Sequence, residues 1–245
     1  MNSRLLFLII TVLNTFNSQA QQNKDWVSLF NGNNLKGWRV IDKPAKVQVK
    51  DRSMVLHMTA NTARHAFVRT EKQYKDFIFE VEFRRDLTID SGILFRSIDA
   101  PDTAFSALFG YMVKIDPKSQ RKWTGGIFVD YGNGYEWLQT HENNEAGRNA
   151  ENKAKEWNKI RIEAIHDIIK VWLNDVPTAH IKDSRYQKGY VGFKIHFLAN
   201  DKAQEQLEIA YRNPKIITQK LSKYARPISL PLRDTRKMSD IQYFR

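Results

Sequence analysis

Residues 110–130, GYMVKIDPKSQRKWTGGIFVD, hold the residue types best suited to chemistry on a hydroxyl-rich ligand. Strand alternation puts Tyr111, Val113 and Ile115 on one face and Met112, Lys114 and Asp116 on the other. A buried strand face has no use for lysine and aspartate, so the second face is a groove or solvent. A polar loop opened by Asp116-Pro117 adds Arg121, Trp123 and the adjacent Gly125 and Gly126, where close backbone approach or positive φ is permitted. The chain then re-enters a strand, Ile127 to Val129, and reaches Asp130. Cation, carboxylate, indole and bare backbone together suit a sugar; an exposed strand face with a solvated turn is the plainer alternative.

The elements that must position these groups are short strands. Trp26 to Phe30, an Asn31-Gly32 turn and Trp38 to Val40 read as strand, turn and strand. Segments 46–50 and 53–58 follow around Asp51-Arg52. In DFIFEVEFR, residues 76–84, Phe77, Phe79, Val81 and Phe83 face a core while Ile78, Glu80, Glu82 and Arg84 face away. Ser91 to Ser97 is another strand. Residues 132–156 are expected to form a long loop or short helix over an edge. Trp157–Ile165 and Ile168–Leu173 make a hairpin across His166-Asp167, and Val176–Ile181, Gly189–Phe197 and Leu207–Tyr211 complete the pattern. About a dozen such strands, with no convincing amphipathic helix, predict an all-β sandwich or jelly roll.

The ends carry their own signals. Arg4, an apolar run from Leu5 to Leu13, and small residues at Ser18 and Ala20 predict a signal peptide over residues 1–20, cleaved after Ala20. The run is shorter than the roughly 20 residues of a membrane span, and no other segment approaches that length. The chain has no cysteine, which excludes disulfides, thiolate metal sites and a lipid-anchored cysteine. Export without disulfides fits a periplasmic or secreted bacterial protein. The net charge of +12 falls to +11 without Arg4, and Pro214 to Arg245 holds eight Lys/Arg against two Asp/Glu. The basic excess therefore gathers in a tail, residues 218–245, expected to pack loosely along the surface. Export and the lack of a binding motif argue against nucleic acid as the partner.

The stretches WVSLFNGNNLKGW, DFIFEVEFR, DSGILFRS, GYMVKIDP with WTGGIF, EWNKIRIEA, IKVWLNDVP, GYVGFKIH and EIAYRNPKI together resemble the 3-keto-disaccharide hydrolase domain family. They occur in the family's order across residues 26–217. The resemblance implies a concanavalin A-like jelly roll of two antiparallel sheets over residues 21–217, with a carbohydrate ligand on its concave sheet. Where many members read Tyr-Glu-x-Gln, this chain has Tyr111-Met112-Val113-Lys114; where many read Leu-Gln-x-His, it has Phe193-Lys194-Ile195-His196. A carboxylate and two amides are thus replaced by Met112, Lys114 and Lys194, while Arg96 and His196 survive.

Ordinary glycosidases need two carboxylates about 5–9 Å apart across the scissile bond. Glu80 and Glu82 share a face, but Arg84 beside them marks a solvated strand. The 3-keto sugars implied by the resemblance need less. The ketone acidifies the hydrogen on C2, one base removes it, the C1 substituent leaves and water adds back. His196 is the base or ligand candidate, with Asp116 and Asp130 next, and Arg96, Lys114 and Lys194 are the oxyanion candidates. Tyr111 and Trp123 could stack on a sugar ring, or belong to the core. Met112 and Arg121 complete the expected binding surface. A divalent metal is left open, since His57, His65, His141, His166 and His180 show no ligand spacing. Three functions follow as expectations: a hydrolase cleaving glycosidic bonds, a non-catalytic sugar-binding module, or a sandwich that recruits a partner through its basic tail.

Overall fold

Short alternating runs become strands because every second side chain can reach the interior between two sheets. The computed structural model describes residues 25–41, 46–57, 65–86, 88–100, 108–116, 120–131, 134–196 and 207–235, with the backbone of Tyr243–Phe244. The expected signal peptide lies outside the described residues. Strands β1 (Val27–Ser28), β2 (Trp38–Ile41), β3 (Lys46–Lys50), β4 (Ser53–His57), β5 (Ala66–Thr70) and β6 (Phe77–Arg85) come first. They are followed by β7 (Ser91–Asp99), β8 (Leu108–Ile115), β9 (Ile127–Asp130), β10 (Tyr135–Gln139), β11 (Asn158–Ile165) and β12 (Ile168–Leu173). The last are β13 (Val176–Lys182), β14 (Tyr190–Ile195), β15 (Glu208–Ile217), β16 (Arg233–Asp234) and β17 (Tyr243–Phe244). Two single-turn helices, α1 (Glu145–Arg148) and α2 (Leu221–Tyr224), accompany them.

The first sheet has the order β16-β13-β12-β11-β6-β15-β4-β3, with β1 also paired to β15. The second has the order β17-β10-β9-β8-β7-β14-β5-β2. The all-β sandwich is as expected, with one correction: β16 runs parallel to β13, so the first sheet is mixed at that edge. The Asn31 side chain turns the chain by accepting the Asn33 and Asn34 N–H groups. The strands on either side join different sheets, β1 to β15 and β2 to β5, so the turn crosses the sandwich instead of closing a hairpin. The hairpin at His166-Asp167 forms, with His166 at φ +52°. Within the expected loop 132–156, Tyr135–Gln139 adds a strand to β9 and only the part beyond it is loop and helix.

One core fills the space between the sheets. Phe77, Phe79, Val81 and Phe83 of β6 join Ile93, Phe95, Tyr111, Val113, Phe193 and Tyr211 there, all essentially buried. Phe193 stacks on Tyr211 with ring centroids 3.9 Å apart and on Trp38 at 5.2 Å. The tail is docked rather than loose. Arg161 and Glu163 of β11 are buried on the outer face of the first sheet and need partners there. The Tyr224 carbonyl accepts from Arg161 at 2.5 Å, and the Arg226 N–H donates to Glu163 at 3.0 Å. Farther on, Thr235 donates to Asp183, and β17 pairs with β10 of the other sheet. Residues of the tail thus lie along the edges of both sheets.

Candidate functional site

The site is assembled on the outer face of the second sheet, where register brings distant strands into one row. Lys114 of β8 lies opposite Gly92 of β7, Gly92 opposite Lys194 of β14, and Lys194 opposite Phe67 of β5. Two lysines therefore flank a glycine. A Cβ on Gly92 would stand 2.4 Å from the Met112 sulfur, so the methionine side chain fills the space that glycine leaves open. Met112, Phe67, Leu94, Leu108 and Phe128 form an apolar cluster distinct from the main core, with Trp137 packed against it. Met112 is fully buried and is part of a floor, not an exposed binding group.

Above that floor stand the charges. The Lys114 ammonium bonds to Asp90 and sits 5.9 Å from the Phe128 ring centre. Lys194 is 6.0 Å from the Phe67 ring centre, and the Asp130 carboxylate stands 3.8 Å from its Nζ. Burial pulls the Lys194 pKa below its ordinary value; Asp130 works against that, and Lys114 adds to it. Two residues along β14 and β5 from this row, His196 and His65 meet with ring centroids 4.1 Å apart. The outcome is a row of two buried lysines, a buried imidazole and a half-buried one over an apolar floor, with carboxylates at Asp90 and Asp130. Of the expected residues, the sheet brings together Lys114, Lys194, His196, Met112 and Asp130. His65, Asp90 and Phe67 join them without having been singled out from the sequence. The usable signal was the alternation His65, Phe67, Arg69, which runs in step with Lys194 and His196 across the β5–β14 pair.

At the loop end of β8, Asp116 accepts both Arg121 Nη2 at 2.7 Å and Arg121 Nε at 2.9 Å, and the Trp123 N–H at 3.0 Å. Burial would raise the Asp116 pKa, but the Arg121 and Trp123 hydrogen bonds outweigh it and hold the carboxyl below its ordinary value. Asp116 is thus committed to shaping the loop, which corrects its expected role in proton transfer. Arg121 lies 4.5 Å over the Trp123 ring and 5.4 Å over Trp137, so guanidinium and two indoles form one half-buried platform. Gly125 has φ +93°, and a Cβ there would meet Thr178 at 2.8 Å. That glycine serves packing, not approach to a ligand.

Two expected site residues lie elsewhere. Tyr111 points into the core, stacked on Phe95 at 5.3 Å with its hydroxyl donating to Asp183, because β8 alternation gives it the face opposite Met112 and Lys114. Arg96 is fully buried at a bulge in β7, with φ +47°. Its guanidinium donates to the Lys75 carbonyl at 2.8 Å, the His166 carbonyl at 2.8 Å and Asp76 at 3.0 Å. It ties β7 to the loop before β6 and to the β11–β12 turn, and is not the oxyanion cation expected from the sequence.

The open groove of about 390 Å³ lined by Trp26, Glu80, Glu82 and Lys215 belongs to the first sheet. Its Glu80 bonds to Arg161 at 2.6 Å and Lys215 at 3.1 Å, and Glu82 to Arg212 at 2.6 Å. Those carboxylates are paired with cations, and Glu80, expected on a solvated strand face, is buried there. Among the described residues no three His, Asp or Glu side chains are grouped to hold a metal ion. Nor is any described helix long and apolar enough to cross a membrane.

The buried His65 carries a pH signature. Desolvation first, then Lys194, His196 and Lys114, push its pKa far down, so the folded protein keeps this ring neutral. The unfolded chain protonates it below about pH 6.5 and binds the extra proton there. Stability contributed by this site is therefore whole above about pH 6.5 and falls by about 1.4 kcal/mol per unit below it. Urea unfolding of His65→Gln beside the parent protein, at pH 7 and pH 5, checks this. The parent should lose about 2 kcal/mol more than the variant over that interval; equal losses would contradict it.

Solved structures share the fold. A Bacillus subtilis carbohydrate-binding module is 14% identical, covers 75% of this chain and 97% of its own, and superposes with a TM-score of 0.54. A Parabacteroides distasonis protein, provisionally named a glycosyl hydrolase, is 16% identical, with 81% and 96% covered and a TM-score of 0.57. A Bacillus licheniformis β-glucanase is 11% identical, with 80% and 97% covered and a TM-score of 0.52. At these identities the likeness shows a jelly-roll sandwich and no more. No curated protein matches the chain. The motifs that span the two sheets agree with a family model matching residues 25–217, and the chain belongs to the 3-keto-alpha-glucoside-1,2-lyase-like domain family.

Proposed function

We propose that this protein is an exported carbohydrate-active enzyme that cleaves 3-keto-glycosides at the bond between C1 and its oxygen substituent, by base-assisted elimination followed by addition of water. The observation that carries the reading is the His196–His65 pair beside Lys114 and Lys194 on one face of the second sheet. A ketone at C3 makes the C2 hydrogen acidic enough for an imidazole to remove. His196, half-buried and in tilted contact with the neutral His65, is that base. Charge then develops on the C3 substituent, where the buried Lys114, paired with Asp90, supplies stabilisation and Lys194 stands beside it. The C1 substituent leaves, and water adds to the resulting double bond. The half-buried Arg121, Trp123 and Trp137 cluster, its two indoles 74° apart, offers aromatic surface to a sugar ring.

The reading includes cleavage of residues 1–20, release to the periplasm or beyond, and a catalytic domain over residues 21–217 with the basic tail bound to it. Incubation with 3-keto-glucosides and their unoxidised parents, with and without added divalent metal, tests it. Product from the keto substrates alone is the expected result; cleavage of the parents at equal rate would refute elimination. A second reading, a sugar-binding module without turnover, is favoured by Met112, an apolar floor residue at the position where many family members carry a carboxylate. Saturable sugar binding with no product from any keto substrate would select it.

A further inference from the structure

We propose that Lys194 acts on the substrate as a nucleophile, forming an iminium with the C3 ketone that serves as the electron sink for elimination. The inference rests on the 3-keto-glycoside reading and specifies how that site works. It is carried by placement. Lys194 lies on the face that holds His196 and His65, over Phe67 and the Met112 floor, with only 6% of its surface exposed. Lys114 stands across Gly92 from it and bonds to Asp90, which fixes a second cation nearby. The Asp130 carboxylate forms a long ion pair with it at 3.8 Å and opposes the effect of burial and Lys114 on the amine. A lysine over apolar surface and next to another cation is the arrangement that favours the neutral, nucleophilic amine. The depressed pKa of Lys194 agrees with this. The groups facing its amine are Lys114 from β8, Asp90 before β7, Asp130 from β9, and the two imidazoles.

The chemistry balances without an added oxidant or reductant. The neutral amine attacks C3, and the carbinolamine loses water to give a protonated C=N bond. His196 removes the C2 proton, and the C2–H electron pair forms the C2=C3 bond of an enamine as the C=N electrons move to nitrogen. The enamine pushes out the C1 substituent, which takes a proton and leaves as an alcohol, and the C1=C2 bond forms conjugated to the iminium. Water adds at C1, C2 regains a proton, and hydrolysis of the iminium returns the ketone and free Lys194. One water is released, two are consumed, and the net change is hydrolysis.

Sodium cyanoborohydride reduces iminium ions in preference to ketones and provides the test. The protein is incubated with methyl 3-keto-α-glucoside and the reductant, cleavage is followed, and peptides are mapped by mass spectrometry. The expected result is one sugar-derived adduct per chain, on the peptide bearing Lys194, dependent on substrate, with turnover lost as the adduct accumulates. Lys194→Arg should lose this adduct and at least 100-fold in turnover. Cleavage without an adduct at Lys194, or with adducts scattered over surface lysines alike in parent and Lys194→Arg, would overturn the nucleophile and leave elimination standing. Neither cleavage nor adduct would overturn the functional reading itself, and this inference with it. Because the mapping is done on the parent protein, it stands even if Lys194→Arg misfolds.

Discussion

His196→Ala is expected to lower kcat/KM on 3-keto-glucosides by about 10²–10⁴-fold, the usual worth of a general base, while leaving the sandwich folded. The imidazole is half-buried at the end of β14, and the strand's own anchoring does not depend on it. The backbone N–H of His196 donates to the Asp90 carbonyl at 3.0 Å, which alanine retains. Phe193, three positions earlier, stays locked between Trp38 and Tyr211. Two readouts separate a base from a packing residue. The parent rate should rise with pH as the base loses its proton, and the variant should lack that limb. Substrate carrying deuterium at C2 should react more slowly with the parent, since the C2–H bond breaks in the step His196 serves. Activity within twofold of the parent, with the pH profile unchanged, would move the base elsewhere.

Arg96→Ala should instead act on the fold. Removing a fully buried guanidinium leaves the Lys75 and His166 carbonyls without that donor and the Asp76 carboxylate without its Arg96 partner, with the His166 N–H still donating to it. Breaking a buried pair by deleting one partner costs about 3–5 kcal/mol. For a domain of this size that lowers Tm by about 10 °C. Arg96→Lys should recover little, because one ammonium cannot reproduce three donations in a plane. Below the new transition, turnover per folded molecule should match the parent. A variant with unchanged urea midpoint but no turnover would restore Arg96 to the site. This contrast matters because sequence alone paired Arg96 with His196 as functional residues. One now belongs to the outer face of the second sheet, the other to a junction between elements.

Much of the molecule was legible in its residues. Period-two alternation in Phe77, Phe79, Val81 and Phe83 gave the core face of β6, and the same period set Met112, Lys114 and Asp116 apart from Tyr111. That separation already disqualified Tyr111 from sharing a surface with Lys114. Local pattern was less informative for β5 and β10, where His65 to Thr70 and Tyr135 to Gln139 sit among polar and turn residues. Their strand character comes from pairing with β14 and β9. At the front of the chain the expected strand, turn and strand form, but adjacency in sequence does not show that β1 and β2 join different sheets, burying Phe30 and Trp38 at the crossing.

The sequence by itself determined which face each side chain takes, since alternation is a property of the local backbone and needs no knowledge of neighbours. It also set the fold class and the family. Only the tertiary structure decided which charges meet. Lys114 and Lys194 are brought to either side of Gly92 by register across β8, β7 and β14, the last of them far along the chain from the other two. His65 meets His196 in the same way. Whether a cation is an open reagent or a tie is likewise decided by its partners: Arg96 finds carbonyls from two other segments, while Lys194 finds an apolar floor, a second lysine and one long ion pair with Asp130. The free energy of a buried charge depends on those partners and on the water excluded around it, and neither is written into the residue type.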